Sequence, residues 1–192
     1  MTTQLSSRGR QPRILSLLSA VTMLIVTGCQ SAHEAHPLPA AMFGNDPDAQ
    51  LDFWHTLADR KVTTNDEAFH GLLLLLDDTD PAKDYPGRVK VLKDRKLIPT
   101  DFNRPADEAV TRGVLAVPLV QALHIKGGLT MRLIGPHPRY ALRELVFMGL
   151  YPISSPNQTF SGTEFVGVIG KIEDYQSHEA KLAATTPVAP KG

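Results

Sequence analysis

The chain has 192 residues, 42% of them hydrophobic and 21% charged, with 20 basic and 20 acidic side chains. That length holds one domain with tails. The charge balance leaves no basic footprint for nucleic acid, and a single Cys excludes a disulfide within the chain.

Arg8, Arg10 and Arg13 precede an apolar run of 13 residues, Ile14 to Val26. A bilayer span takes roughly 20 residues, so the run is too short to cross one. Its layout is that of a secretory signal. The run closes on Val26-Thr27-Gly28-Cys29, which resembles a bacterial lipobox. The resemblance implies removal of residues 1–28 and lipidation of the Cys29 thiol. Two or three acyl chains then hold the protein on a membrane durably. The expected location is the cell envelope, and Gln30 in place of an Asp after the Cys is compatible with the outer membrane. Cleavage leaves 17 basic against 20 acidic residues.

Residues 29–45 are rich in small residues and proline and read as a tether. His33 and His36 lie three apart, but nothing nearby completes a four-ligand set, so no metal is expected. Asp46-Pro47 is a cap followed by proline at the first helical position, opening a helix to Arg60. Leu51, Trp54, Leu57 and Ala58 share its apolar face. Trp54 is the only Trp, a core anchor or a stacking platform for a sugar. Thr64-Asn-Asp-Glu67 is a capping box, and the five leucines after His70-Gly71 mark a helix buried on most sides.

Asp77 to Asp84 is an acidic turn read as solvated. Asp78 and Asp80 open like a calcium loop, but Lys83 and Val89 occupy the positions that need Gly and Glu. A third helix spans Tyr85 to Lys96, with Val89 and Leu92 inward and Arg88, Lys90, Lys93 and Arg95 outward. Phe102 is expected to fold back from the following loop. Thr111 caps a fourth helix that contains Pro118. A short β-hairpin is expected around 125–134, from Gly127-Gly128 and the alternating run that follows. Arg139 to Tyr151 is a fifth helix. Ser161-x-x-Glu164 caps a sixth, and residues 177–192 read as a disordered tail.

The caps Thr64, Thr111 and Ser161 lie 47 and 50 residues apart. Each follows a helix and a loop, which makes three helix-loop-helix repeats within residues 46–176. The fold expected is mainly α, a compact bundle in which no unit buries its face alone. Phe102-Asn-Arg-Pro-Ala-Asp-Glu-Ala-Val-Thr-Arg112 resembles the S-layer-homology repeat: an aromatic, a proline, then an apolar-Thr-Arg opening to a helix. Pro156 to Phe165 is similar and keeps the Glu. The resemblance implies grooves between units that bind cell-wall carbohydrate, with Thr111 and Arg112 at one of them. The middle copy departs from the motif, with Gly113 and Val114 in place of Ala and Glu.

No nucleophile elbow, metalloprotease helix, phosphate loop or dinucleotide fingerprint is present. His55, His70, His124 and His137 are scattered singly, and His70, on the most apolar helix, reads as a core histidine. Neither an enzyme nor a cofactor is expected. The expected function is that of a lipid-anchored envelope protein binding cell-wall or surface polysaccharide, through Thr111, Arg112 and Trp54. The alternative is a scaffold for another envelope protein.

Overall fold

A computed structural model of the chain describes residues 31–185. The signal segment, Cys29 and residues 186–192 lie outside the described residues. Seven α-helices follow a 3₁₀ turn at Ala40–Met42: α1 Pro47–Ala58, α2 Asn65–Asp77, α3 Tyr85–Asp94, α4 Arg112–Ala122, α5 Leu129–Ile134, α6 Pro138–Phe147 and α7 Gly162–Thr185. None is long and apolar enough to cross a membrane.

Local signals in the sequence set most helix starts. The Asp46 carboxylate accepts from the Ala49 amide at 2.9 Å, with Pro47 at the first helical position. Both halves of the Thr64–Glu67 box form. So do both halves of the Ser161–Glu164 box. Thr111 caps α4 through its backbone only.

The three capped segments meet in the middle of the protein. The residues before the caps, Thr63, Val110 and Phe160, are all fully buried. Val110 N–H donates to Thr63 O, and Thr63 N–H to Phe160 O, each at 2.9 Å. The first helical amides then bond around a ring: Asn65 N–H to Glu108 O, Arg112 N–H to Gln158 O and Gly162 N–H to Arg60 O, at 2.8–2.9 Å. A helix start leaves amides without intrahelical partners. Here a carbonyl from another segment satisfies one at each of the three starts. Around this centre α1 packs on α7, α2 on α3 and α4 on α6. Phe53, Leu57, Phe69, Leu72, Leu115, Leu145, Phe165 and Ile172 form the core.

Several expectations change. The run after Gly128 is the helix α5, not a hairpin strand. Its alternation spans only six residues and fits either period. With no neighbouring strand to pair with, the run turns Met131 inward and leaves Leu129 and Leu133 outside. On α1 the buried residues are Phe53 and Leu57, while Leu51 is exposed. The presumed tether is packed against the domain from Ala32 onward. Ala109 N–H donates to Ala32 O, Leu38 is buried, and the Phe43 ring lies 5.0 Å from that of His70. The last helix runs to Thr185, past the expected start of a disordered tail, and its residues beyond Gln176 are exposed. Glu, Ala, Lys and Leu in that stretch are strong helix formers, and they extend a helix already nucleated on the core.

Gly162 occupies the tightest point of the ring. A Cβ there would lie 1.6 Å from the Leu57 carbonyl oxygen, a backbone atom that no rotamer change can move. Gly162→Ala is therefore expected to destabilise the domain by about 3 kcal/mol or more. Urea denaturation checks this, with Gly167→Ala, exposed within α7 where a Cβ meets nothing within 4 Å, as the control expected to gain about 0.5–1 kcal/mol.

Candidate functional site

Beside the ring lies a buried charge cluster that the sequence did not reveal. Asp80 follows the turn after α2, and its carboxylate points inward. One oxygen, Oδ2, receives His70 Nδ1 at 2.7 Å and Arg88 Nε at 2.5 Å. The other accepts from the Ala82 amide at 2.9 Å. Asn45 fixes the same residue through two bonds, accepting from its N–H and donating to its carbonyl. Arg88 Nη1 reaches Asp66 Oδ1 at 2.6 Å, and the guanidinium carbon lies 4.5 Å above the Phe43 ring. Arg88 Nη2 is buried and has no hydrogen-bond partner among the protein atoms.

Burial raises the pKa of a carboxyl by disfavouring its charge. At Asp80 the bonds from His70, Arg88 and the Ala82 amide outweigh burial and hold the carboxyl below its ordinary value of 3.8. Glu67 goes the other way. Its burial dominates the bonds from Thr64, so its carboxyl is held above 4.5. Burial, then the nearby Asp66 and Glu108, raise the Tyr85 phenol, which stays protonated and donates to Arg104 O at 2.8 Å.

A groove of 330 Å³ opens over this cluster. Phe43, Leu38 and Tyr85 supply apolar and aromatic surface. Asp66, Asp84 and Asp107 supply acceptors, and Arg88 and Lys83 supply donors. Its elements are the packed N-terminal segment, the α2 start, the α3 start and the loop before Val110. A more apolar groove of 320 Å³ lies between Leu97, Phe102 and Arg104 on one side and Val114, Val117 and Pro138 on the other.

The residues expected to bind ligand sit elsewhere. Arg112 is buried, with Nε donating to Thr159 O at 3.1 Å and Nη2 to Glu164 Oε1 at 2.8 Å. Its guanidinium carbon lies 5.1 Å from the centre of the Phe160 ring. The Ser161 amide bond, opposed by burial and helped by Arg112, keeps the Glu164 carboxyl below its ordinary value. Thr111 pairs its backbone with Thr159. Trp54 stacks on Phe165 at 6.3 Å and touches Gly71, so it joins α1, α2 and α7. The structure brings none of the three to either groove.

Arg88 was expected outward and Asp80 in a solvated turn; both are buried. His70 is a core histidine as expected. Paired with Asp80 it has the donor arrangement of an acid–base dyad, but Phe43 and Phe53 pack edge-on against its ring and no solvent reaches it. Among the described residues no group of three or more His, Cys, Asp or Glu side chains is arranged to hold a metal. Comparison with family models, curated proteins and solved structures finds no match for this chain.

Removing one partner of a buried ion pair leaves the other uncompensated and costs about 3–5 kcal/mol. Arg88→Met is expected to lose stability in that range. The stability from Asp80 is complete above its ordinary pKa and is lost as pH falls through the lower folded value. An acid titration of unfolding free energy should therefore show a smaller loss in Asp80→Asn than in the unsubstituted chain, from a lower starting stability.

Proposed function

We propose that the chain is a lipid-anchored, non-catalytic envelope protein that holds a hydroxyl-rich surface or cell-wall polysaccharide in the groove over Arg88. The observation that carries the binding role is the combination in that groove. A buried Arg88 nitrogen without a partner lies beside the Asp66 acceptor, Lys83 and the Phe43 and Tyr85 rings. Sugars present hydroxyls along their edges and C–H surface on their faces. A groove with donors, acceptors and rings side by side addresses both.

The domain is read as three S-layer-homology-like repeats. In support, the three capped segments exchange backbone bonds around one centre, with matched positions as donors. Both grooves are lined in part by the loop that precedes α4. Arg112 takes a different role in this reading from the one its motif implies. It ties the middle capped segment to Glu164 and Thr159, so it supports the bundle while the groove over Arg88 takes the ligand. The anchor rests on the Val26-Thr27-Gly28-Cys29 sequence.

Two measurements test this. Cys29→Ser should abolish incorporation of a palmitate analogue in cells, and persistent labelling would sink the anchor. Purified sacculi should retain the protein, with retention several-fold weaker in Lys83→Ala and Lys83→Glu, exposed changes expected to leave the melting temperature unchanged. Retention that is absent, or equal in these variants, counts against the groove. Arg112→Ala is expected to lower stability by about 1–2 kcal/mol, since Glu164 is half exposed and the pair is screened.

A further inference from the structure

The corner formed by α5 and α6 has a chemistry unlike the rest of the protein. Met131 turns into the core, while Leu129 and Leu133, one helical turn apart, are 74% and 76% exposed. Phe147 on α6 is 87% exposed. It lines a groove with Thr130, Tyr140 and Arg143, and Thr130 is the residue after Leu129 and one helical turn before Leu133 on α5. Gly128 N–H donates to Glu144 Oε1 at 2.8 Å and fixes the start of α5 on α6.

Charge is segregated in the same place. Residues 124–148 hold four basic side chains, Lys126, Arg132, Arg139 and Arg143, against the single acidic Glu144. The other described residues hold 12 basic against 19 acidic. All four cations are exposed, and among the described residues none of them is in an ion pair. Exposed apolar side chains interspersed with exposed cations have the chemistry of an interfacial helix, in which the apolar tips enter the headgroup boundary and the cations meet lipid phosphates. A second copy of the chain fits this surface poorly, because a twofold contact would bring the cations of one patch against those of the other.

We infer that the α5–α6 corner is a docking face for an anionic lipid bilayer, with Leu129, Leu133 and Phe147 entering the headgroup region and Lys126, Arg132, Arg139 and Arg143 binding its phosphates. The inference rests on the reading that the chain lives at a membrane, and it adds a second contact to the anchor at Cys29. Such a contact lays the domain against the bilayer in one orientation.

The test uses the full chain reconstituted into vesicles, with an environment-sensitive fluorophore on Leu133→Cys and, as control, on Lys90→Cys of α3. The chain without an added Cys reports any label on Cys29. In phosphatidylglycerol-containing vesicles the probe at 133 should shift to the blue. Headgroup-depth nitroxide lipids should quench it several-fold more than the probe at 90. Combining Arg132→Glu, Arg139→Glu and Arg143→Glu should remove the difference while the circular dichroism spectrum stays unchanged. Quenching at 133 no greater than at 90 overturns the inference, as does equal quenching in purely zwitterionic vesicles. A blue shift without quenching overturns it too and marks a protein contact. Failure of the anchor is read separately, from loss of the palmitate label at Cys29.

Discussion

Everything in this domain hangs on a small ring of backbone hydrogen bonds. Three helices begin close together, and each start leaves amides with no partner of its own. Burying them uncompensated would cost more than a few bonds return. The chain meets the constraint by lending each start a carbonyl from another segment: Glu108 to Asn65, Gln158 to Arg112 and Arg60 to Gly162. Segments far apart in sequence are thereby pinned without a disulfide. The residues before the caps are packed out of solvent as a consequence. The same closeness explains Gly162, whose hydrogen is all that fits beside the Leu57 carbonyl.

How much of this was legible follows from how local each signal is. A cap is written within four residues, so the boxes at Thr64 and Ser161 and the Asp46-Pro47 start could be read directly. The helix α5 could not, because six alternating residues satisfy both periods and the absence of a partner strand is a tertiary fact. The burial of Arg88 was equally hidden. An arginine in the first turns of a helix, two residues before a lysine, reads as solvated. Only the arrival of Asp80, Asp66 and Phe43 from three other segments makes an interior place for it. One signal was available: Leu38 and Phe43 are large apolar residues that a free tether has no reason to carry.

The buried cluster and the ring are adjoining parts of one arrangement. Asp66, which receives Arg88, is the second residue of α2, and its amide donates to Ala106 O at 3.1 Å. The groove floor is therefore held by a backbone bond next to that of the ring donor Asn65. For the ligand proposed above, preorganisation of this kind lowers the ordering cost of binding, since the side chains at the groove are already held. A charge network that is costly to build and surrounds a groove differs in this from the exposed pair Lys90–Asp94, which holds nothing in place.

The middle capped segment shows how departures from a motif are to be weighed. It lacks the capping Glu, and its Thr111 makes no side-chain cap. Gly113 stands where an Ala would bring its Cβ within 3.0 Å of the side chains of Pro138 and Pro156. Arg112 then crosses to Glu164, which already closes the box of the last capped segment. One carboxylate thus serves two helix starts, and the missing Glu of the middle segment is offset from its neighbour. These departures are compensations internal to the ring. Exposed side chains outside it, such as Lys83 at the rim of the groove over Arg88 and the cations of the α5–α6 corner, can change without disturbing a backbone bond of the centre.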